Sequence, residues 1–319
     1  MDIGSGNIKI FSGSGNRTLA EKIADNLGLK VGECRVSKFS DGEISVRIEE
    51  TVRGADVFIV QPTCDPVNDN LMELLIMIDA AKRASAGRIN AVVPYYGYAR
   101  QDRKAKPREA ISAKLVADLI TSAGADRVIT MDLHSAQIQG FFNIPVDHLA
   151  GMPIIASYYL NKFENITDEF VALSPDLGSV ARTRRFAEQL DIPIAIVDKR
   201  RPKPNESEIM NIIGDFNNKN VILFDDMIDT AGTVTNAANA VKQRGAKEIY
   251  ACCTHPVLSG AAIERIKASA ITELVVLDTI PLTGEKKTGK IRQLSASKLL
   301  ADAVYRIHEG LPLSKLREI

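Results

Sequence analysis

The sequence predicts an α/β fold with two mostly parallel sheets, each flanked by helices, and three observations support this prediction. The chain has 319 residues, which is the length of about two ordinary domains. Short apolar runs alternate with amphipathic helical windows, which is typical of helices that connect parallel strands. Two pairs of similar segments recur at similar spacings, which indicates that one α/β unit occurs twice.

The strands and helices follow in chain order from these alternating patterns. The apolar runs predicted as strands are Ile8–Phe11, Val57–Val60, Ile89–Val93, Val128–Met131, Val171–Leu173, Ile194–Val197, Val221–Phe224, Ile249–Cys252 and Leu274–Leu277. The windows predicted as helices are Asn70–Ala84, Ser112–Ala123, Val180–Leu190 and Thr233–Arg244. Phe39–Ile48 breaks this rhythm, because an Asp-Gly turn signal followed by alternating residues indicates a protruding hairpin.

The repeat rests on two pairs of segments. Ala123–His134 is similar to Arg244–His255 at an offset of 121, since each has a helix end, a Gly-Ala turn, a strand and a terminal His. Ile59–Pro62 and Ala172–Pro175 each close a strand before a helix, at an offset of 113. Few positions are identical, so chance similarity is the alternative explanation.

The composition excludes several classes of protein. Apolar residues make up 45% and charged residues 25%, so wholesale disorder is not expected. The 40 Lys and Arg residues balance the 40 Asp and Glu residues, which argues against a nucleic-acid partner. No apolar run reaches membrane-spanning length and the start lacks a secretory signal, so we expect no membrane partner and a cytoplasmic location. The four Cys residues lack metal-ligand spacing and are expected to be reduced core thiols.

The clearest candidate site is the segment Asn220–Thr233. Four apolar residues predict a buried strand, and Asp225 and Asp226 follow at its carboxyl end, which faces the ligand crevice of a parallel sheet. The small, hydroxylated loop Asp229–Thr233 then leads into a helix, where backbone N–H groups and hydroxyls can bind a phosphate. A phosphate on the loop and vicinal hydroxyls on the carboxylates indicate a ribose phosphate. Simple helix capping with solvated acids is the alternative.

A second candidate is the basic loop Arg100–Arg108, which follows a strand that ends at Pro94. It holds five cationic residues against one nearby acid, Asp102. Because Arg side chains bind phosphate oxygens bidentately, the loop suits a polyphosphate. Composition alone leaves a solvated basic loop as the alternative.

Three further segments follow predicted strands. His134 comes directly after one, where an isolated His is more often structural than a ligand. In Ser174–Ser179 a small loop can hold diphosphate and Asp176 can hold Mg²⁺. Val197–Asn205 is basic and contains prolines, which exclude a regular helix or central strand, so a mobile loop is predicted. Such a loop is most often solvated surface.

Together these segments resemble class I ribose-phosphate diphosphokinases, the PRPP synthetases of the phosphoribosyltransferase-like superfamily. Asp225–Thr233 resembles the phosphoribosyl-diphosphate-binding motif of type I phosphoribosyltransferases, and the resemblance extends from Ile8 to about Ile307. The repeat and the resemblance imply two tandem phosphoribosyltransferase-type domains, at residues 1–150 and 151–319, with the last helix able to pack back on the first domain. The implied reaction transfers a diphosphoryl group from MgATP to ribose 5-phosphate, giving PRPP and AMP.

The resemblance also implies a role for each matching residue. The catalytic pair is Lys199 and Arg201. The positions that match ATP-binding residues are Phe39, Asp41, Glu43, Arg100, Gln101 and His134, the first three in a hairpin contributed by a neighbouring subunit. Ribose 5-phosphate is bound by Asp225, Asp226, Asp229, Thr230, Ala231, Gly232 and Thr233. The diphosphate loop is Asp176, Leu177, Gly178 and Ser179, and the residues around the Mg²⁺ are His134 and Asp176. Ser179 stands where many relatives carry a second Gly, but a small residue remains.

Regulation and assembly are implied as well. Phosphate is expected to activate and ADP to inhibit at a subunit interface of a homohexamer, with Arg53 and Arg108 as candidates for that site. Two other functions are left open. One is an ordinary type I phosphoribosyltransferase, which lacks the basic loop and the hairpin. The other is a non-catalytic regulatory paralogue, against which the intact Lys199 and Arg201 and the lack of an inserted segment argue.

Two segments imitate known motifs. Gly284–Lys290 has Walker A spacing, but Ile291 replaces the Mg²⁺-binding Ser or Thr and the flanks predict a polar loop, so a P-loop is rejected. Gly13–Thr18 lacks the third Gly of a dinucleotide fingerprint and is predicted to be a helix-capping turn. His255 and His308 lack ligand spacing and are predicted to be structural.

Overall fold

The computed structural model of the protein describes residues 7–200 and 209–316. Its first elements are β1 (Ile8–Ser12), α1 (Arg17–Asn26), β2 (Cys34–Lys38), β3 (Ile44–Ile48), β4 (Asp56–Val60), α2 (Val67–Arg83), β5 (Arg88–Val93), α3 (Ser112–Ala123), β6 (Arg127–Met131) and β7 (Val146–Leu149). There follow α4 (Met152–Lys162), α5 (Ile166–Glu169), β8 (Phe170–Ser174), α6 (Val180–Leu190), β9 (Ile194–Arg200), β10 (Ile209–Ile213), β11 (Asn220–Ile228), α7 (Gly232–Gln243), β12 (Ile249–Pro256), α8 (Ala262–Ala268), β13 (Glu273–Leu277), β14 (Ile291–Leu294) and α9 (Ser297–His308). None of the described helices combines the length and the apolar character needed to cross a membrane.

The described residues divide into two compact units. The first contains the chain up to Ala150, together with Thr279–Pro281 and the segment from Ser295 onward. The second contains the described parts of Gly151–Asp278 and Leu282–Leu294. Each unit has one main sheet and its own buried apolar cluster.

The main sheet of the first unit is entirely parallel, in the order β1-β4-β5-β6-β7. All five residues of β4 are buried, as expected for a strand covered on both faces. From α2 and α3, Leu74, Met77, Val116 and Ile120 join the same core. β2 and β3 form a separate antiparallel hairpin, which confirms the predicted turn, although the first strand precedes Phe39.

The sheet of the second unit has the order β10-β9-β8-β11-β12-β13-β14. β10 is antiparallel to β9, whereas the other neighbouring strands pair in parallel. The chain passes from β8 outward to β9 and then returns to the other side of β8 with β11. The carboxyl ends of β8 and β11 therefore form a topological switch point, which is where open α/β sheets bind ligands.

The two sheets repeat one arrangement. β4, β5, β6 and β7 lie side by side in the same succession as β8, β11, β12 and β13. The similar segments Ala123–His134 and Arg244–His255 cover the third strand of each series, β6 completely and β12 except for its last residue. The series differ at the strand that flanks them, because β1 precedes β4 in the chain whereas β9 follows β8. The predicted α/β class with parallel sheets is confirmed.

The predicted end of strand β11 is wrong. Asp225 and Asp226 were expected after the strand, but they lie within it, because β11 continues to Ile228. The reason is its neighbour β12, which stays paired with β11 as far as Pro256.

The predicted end of β9 is also wrong. Lys199 was expected in a loop after the strand, but its backbone belongs to β9, which runs to Arg200. The antiparallel strand β10, which the sequence pattern did not identify, supplies the pairing partner, with Met210 opposite Lys199. Arg201 and the rest of the predicted loop up to residue 208 lie outside the described residues.

Three smaller predictions have different outcomes. Cys34 is only half-buried, so it is not a core thiol, whereas Cys64, Cys252 and Cys253 are buried thiols. The Walker-like segment ends where β14 begins, so no helix follows it and its rejection as a P-loop is confirmed. Asn16 caps α1 as predicted, because its side chain accepts from the N–H of Leu19 at 3.2 Å.

The last helix, α9, belongs to the first unit and packs beside α1. At its end, His308 Nδ1 lies 2.9 Å from Asp56 Oδ2 at the start of β4. Arg88 Nε donates to the other oxygen of Asp56 at 2.8 Å, and a second guanidinium nitrogen donates to the Ile307 carbonyl at 3.2 Å. These contacts give His308 a structural role.

Candidate active site

The acidic pair on β11 lies at the switch point of the second sheet. β11 pairs with β8 only as far as Leu223, whereas it pairs with β12 through Ile228. Asp225 and Asp226 therefore lie beyond the β8 ladder, where the chain after Ser174 has turned away from the sheet. The Asp226 side chain is 3% exposed and that of Asp225 is 24% exposed.

Burial changes the ionisation of Asp225. Removal from water raises the pKa of this carboxyl to about 7, and the neighbouring charge of Asp226 acts in the same direction. The positive charge of Arg182 lowers the pKa but does not cancel these effects. Asp225 therefore takes up a proton as the pH falls through about 7.

Arg182, near the start of α6, bridges the two carboxylates. Its Nη1 atom donates to Asp225 Oδ1 at 2.9 Å and to Asp226 Oδ1 at 2.6 Å. Ser179 Oγ donates to the same oxygen of Asp225 at 3.1 Å. Sequence reasoning missed Arg182. Its spacing could have identified it, because Arg182 lies three residues after Ser179 and residues three apart are neighbours on a helix surface.

The loop Asp229–Thr233 leads from β11 into α7. Ala231 is buried and has a φ of 60°, a left-handed conformation that residues with a Cβ rarely adopt. α7 begins without a side-chain cap, so simple helix capping does not explain the Asp and Thr residues here. The backbone N–H groups and the positive dipole end of α7 make this loop suitable for an anion.

The loop Asp176–Ser179 follows β8, on the other side of the switch point. Asp176 Oδ1 accepts from the backbone N–H of Ser179 at 2.9 Å, and Ser174 Oγ donates to the Asp176 carbonyl at 2.7 Å. A Cβ added at Gly178 would lie 3.3 Å from Asp176 Oδ1, so the glycine leaves room for the carboxylate. This loop and the acidic pair are joined by the hydrogen bond from Ser179.

The residues predicted to bind ATP lie in the first unit. Arg100 and Gln101 are exposed in the loop between β5 and α3, where the N–H of Gln101 donates to the Tyr98 carbonyl at 3.0 Å. Glu109 accepts from two backbone N–H groups of this loop, at 3.0 and 2.8 Å. Glu109, an acid just outside the segment Arg100–Arg108, therefore helps to shape the basic loop.

The hairpin turn presents an aromatic side chain and two acids to solvent. Phe39 is 60% exposed, and Asp41 and Glu43 are exposed. Asp41 Oδ1 accepts from the N–H of Glu43 at 3.2 Å, an Asx turn that is helped by the positive φ of Gly42. The two arginines predicted to be regulatory, Arg53 and Arg108, are also exposed in the first unit.

His134 is exposed in the loop after β6, also in the first unit. The preceding N–H, of Leu133, donates to His148 Nε2 at 2.9 Å, so His148 on β7 holds this loop. The Gln139 amide lies 3.3 Å from the other ring nitrogen of His148. Sequence reasoning missed His148, which carries no motif. Asp176, the other residue predicted near Mg²⁺, belongs to the second unit.

The structure brings part of the predicted site together. In the second unit, the acidic pair, the Asp176–Ser179 loop and the start of α7 lie around one switch point. Of the predicted catalytic pair, only the backbone of Lys199 is described, and Arg201 lies outside the described residues. Within residues 7–200 and 209–316, no cluster of three or more His, Cys, Asp or Glu side chains could hold a metal by itself.

Comparison with known proteins shows close relatives over the whole chain. Residues 8–124 match the model of the N-terminal domain of ribose phosphate pyrophosphokinase, and residues 198–317 match that of the phosphoribosyl synthetase-associated domain. The ribose-phosphate pyrophosphokinase of Clostridium perfringens is 66% identical over 316 residues, which cover 99% of each chain. That of Caldanaerobacter subterraneus is 64% identical over 309 residues, which cover 97% of each chain.

A solved structure agrees with these matches. The crystal structure of phosphoribosylpyrophosphate synthetase from Mycobacterium smegmatis is 42% identical in sequence and has a TM-score of 0.89. The match covers 95% of this chain and 99% of that one. Fold, length and sequence thus agree with the resemblance that the motifs indicated, and the chain belongs to the ribose-phosphate pyrophosphokinase (PRPP synthetase) family of enzymes.

Proposed function

We infer that the chain catalyses the reaction of its family, the transfer of the β,γ-diphosphoryl group of ATP to the 1-hydroxyl of ribose 5-phosphate. The products are AMP and PRPP, a precursor for nucleotide biosynthesis. The observation that supports this function most directly is the second unit's switch point, which combines two carboxylates with an uncapped helix N-terminus. The helix end suits a phosphate, and the carboxylates suit a pair of ribose hydroxyls.

Ribose 5-phosphate occupies the second unit in this proposal. Backbone N–H groups of the loop Asp229–Thr233, with the exposed hydroxyls of Thr230 and Thr233, bind the 5-phosphate. Asp225 and Asp226 accept hydrogen bonds from the vicinal hydroxyls of the ribose. The Asp176–Ser179 loop, next to this pair, binds the diphosphate.

ATP is assigned to residues of the first unit. The basic loop contributes Arg100 and Gln101, with His134 from the loop after β6. In the hairpin, the exposed ring of Phe39 can stack on adenine, while carboxylates accept from its exocyclic amine. The exposed ring of Phe39 is consistent with a hairpin that completes the ATP site of a neighbouring subunit.

Mg²⁺ is the proposed cofactor. It prefers oxygen ligands, keeps several waters, and is usually held by one or two carboxylates together with substrate phosphates. The half-buried carboxylate of Asp176, oriented by the N–H of Ser179, fits this type of site, and His134 is the second residue assigned to its surroundings. Bound Mg²⁺ supplies charge neutralisation on the polyphosphate.

Catalysis is assigned to Lys199 and Arg201. Transfer of a diphosphoryl group needs positioning and stabilisation of spread negative charge more than covalent help from the protein. Two cations that close over the transferring group supply that stabilisation. No side chain is assigned as a general base.

We further propose a cytoplasmic homohexamer that phosphate activates and ADP inhibits. Ile111, at the N-cap of α3, and Leu115 and Leu119 on this helix are exposed at four-residue spacing, and this apolar stripe is suited to contact with another copy of the chain. Arg53 and Arg108, both exposed, are the candidates for the regulatory phosphate and ADP site.

The test is a coupled assay for AMP formation from ATP and ribose 5-phosphate, with and without phosphate and ADP, combined with sedimentation of the same sample. We expect AMP in proportion to PRPP, stimulation by phosphate, and inhibition by ADP beyond competition with ATP. Consumption of PRPP that depends on a nucleobase would favour an ordinary phosphoribosyltransferase. No turnover, with binding to an active synthetase, would favour a regulatory paralogue.

A further inference from the structure

The loop Asp229–Thr233 is supported by the segment that follows β12. We propose that Ser259 and Arg265, in this supporting segment, are positioning residues that hold the loop in the conformation that binds phosphate. The proposal rests on the proposed function, because it takes the 5-phosphate of ribose 5-phosphate as the ligand of the loop. Neither residue belongs to the motif that indicated the site.

The supporting segment binds two consecutive carbonyl groups of the loop. The backbone N–H of Ser259 donates to the carbonyl of Asp229 at 3.0 Å. Arg265 Nη1 donates to the carbonyl of Thr230 at 2.7 Å. Ser259 Oγ also donates to the Asp229 carboxylate. These contacts fix the orientation of two peptide groups immediately before α7.

The geometry of the peptide group explains how these contacts create a site for an anion. In a trans peptide the carbonyl and the following N–H point in opposite directions. Because the supporting segment holds the carbonyls of Asp229 and Thr230, the N–H groups of Thr230 and Ala231 point away from it. The carbonyl of Ala231 is turned into α7, where the N–H and hydroxyl of Thr235 donate to it at 3.0 and 2.8 Å. Successive N–H groups therefore face the side opposite the supporting segment.

The loop needs this support because its conformation is unfavourable in isolation. Ala231 has a φ of 60°, where its Cβ crowds the backbone. Rotation of the Thr230–Ala231 peptide would turn a carbonyl oxygen toward the phosphate and repel it. Arg265 opposes this rotation, because its charge-assisted hydrogen bond to Thr230 would be lost.

A control residue, Lys267, distinguishes the effect of the Arg265 hydrogen bond from the effect of its positive charge alone. Lys267 lies on the same helix, α8, and is exposed, and because residues two apart do not share a helix face, it lies away from the face that carries Arg265. Lys267→Ala removes one positive charge from α8 and leaves both loop carbonyls bound. Arg265→Ala removes one charge together with the hydrogen bond.

The experiment measures KM for ribose 5-phosphate at saturating MgATP, and binding of ribose 5-phosphate by calorimetry, in wild type and four variants. Arg265→Ala is expected to raise KM and Kd for ribose 5-phosphate about tenfold, the effect of one charge-assisted hydrogen bond, with KM for ATP within about twofold. Arg265→Lys, which keeps a donor, is expected to recover part of this loss. Ser259→Ala should raise KM about threefold, because its N–H still binds Asp229. Lys267→Ala should match wild type.

Chemical rescue adds a measurement that a general loss of structure would not produce. Arg265 borders an open groove of about 360 Å³ between α7 and α8, which is also lined by Gly232 and Asn236. Guanidinium ions at non-denaturing concentration can enter this groove and donate to the Thr230 carbonyl. We expect them to lower KM of Arg265→Ala for ribose 5-phosphate and to leave that of Lys267→Ala unchanged.

The outcomes separate the two proposals. Unchanged ribose 5-phosphate binding in Arg265→Ala, while wild type binds and turns over, would overturn the positioning role and leave the proposed function intact. An equal loss in Lys267→Ala would overturn it as well, because charge alone would then account for the effect. If wild type neither binds ribose 5-phosphate nor forms AMP, the proposed function and this inference both fail.

Discussion

At the scale of residues, the acidic pair shows how a neighbour controls ionisation. Two adjacent carboxylates in a buried strand are removed from water and repel each other, and both effects raise the pKa of Asp225 to about 7. Arg182 donates to both carboxylates and offsets part of this increase. In the proposed function a ribose diol donates to these carboxylate oxygens, so we expect Arg182 to keep the site usable near neutral pH.

We predict that Arg182→Ala shifts the pH dependence of ribose 5-phosphate binding. In wild type, KM for ribose 5-phosphate should rise as the pH falls through about 7, because Asp225 takes up a proton and loses an acceptor. Without the positive charge of Arg182 the pKa of Asp225 is higher still, so the same rise should begin at a higher pH. The measurement is KM for ribose 5-phosphate between pH 6 and 9.

Arg184→Ala is the control for this shift, since Arg184 is an exposed arginine on the same helix. The phosphate of ribose 5-phosphate also changes its protonation in this pH range, but that change affects KM equally in every variant. Identical pH profiles for Arg182→Ala and wild type would refute the role given to Arg182.

At the scale of elements, the β9–β10 pair carries the residue assigned to catalysis. The backbone of Lys199 pairs with Met210 of β10, whereas the ladder between β8 and β9 ends at Ile196, so β10 is the strand that holds this part of β9. This edge of the sheet flanks the switch point, one strand away from the Asp176–Ser179 loop. A catalytic side chain on a strand starts from a better-fixed backbone than one on a free loop.

We predict that Lys199→Ala lowers kcat by roughly 10³ or more with little change in KM for either substrate, because its charge acts on the transferring group. Steady-state kinetics of AMP formation check this. Asn211→Ala, an exposed position on the neighbouring strand β10, should keep normal kcat. Near-normal turnover of Lys199→Ala would remove this residue from catalysis.

The end of helix α9 contacts the buried carboxyl of Asp56, which lies at the start of β4 in the first sheet. Burial by itself would raise the pKa of Asp56, but hydrogen bonds from Arg88, His308 and Asn90 outweigh it and lower the pKa below its ordinary 3.8. A carboxyl with a lowered pKa stabilises the fold above the pKa of the unfolded chain. That contribution is lost as the pH falls through the lower, folded pKa.

We predict that Asp56→Asn lowers the free energy of unfolding by about 2 kcal/mol at pH 7, since it disrupts a buried ion pair that is partly open to solvent at Arg88. The difference from wild type should begin to narrow below about pH 4, where the carboxyl of the unfolded chain takes up a proton, and should continue to narrow as the pH falls through the lower pKa of the folded protein. Urea unfolding at several pH values measures it.

Asp79→Asn is the matched control for this stability change. Asp79 forms an exposed ion pair with Arg83 one helical turn away, and such solvent-screened pairs contribute little to stability. A difference between Asp56→Asn and wild type that stays constant down to pH 3 would contradict the assignment of a lowered pKa.

At the scale of the whole molecule, the apolar stripe on α3 bears on assembly. Ile111, Leu115 and Leu119 are exposed, while the opposite face of α3 packs into the core of the first unit. A helix with apolar residues on both faces has a second surface to cover. Contact with another copy would cover it and would also bring a neighbouring hairpin within the assembly.

We predict that Leu115→Glu weakens the assembly, because a charge would replace apolar surface that is 59% exposed in the single chain. Sedimentation velocity should show smaller species, and AMP formation should fall as the hairpin of the neighbour is lost. Leu160→Glu is the control, since Leu160 is similarly exposed but lies on α4, which belongs to the second unit. An unchanged sedimentation coefficient for Leu115→Glu would exclude the stripe as an interface.

Local patterns predicted much of this protein. Apolar runs located the central strands to within a few residues, because strands covered on both faces are continuously apolar. The strands of the two main sheets that were missed are short and lie at sheet edges: β7, β10 and β14 have four or five residues each. The extension of β11 past its apolar run was not visible either, because the pairing partner β12 and not the composition determines it.

The sequence by itself determined the fold class, the family and the residue types of the site, because these depend on periodicity and on motifs that are local in the chain. Only the tertiary structure decided which side chains meet: Arg182 with the acidic pair 43 residues later, and Arg265 with a loop 35 residues earlier. Such contacts depend on the order of strands in the sheet, which brings β8 beside β11 although β9 and β10 lie between them in the chain. No local pattern encodes that order, so the positioning of the site becomes visible only in the folded molecule.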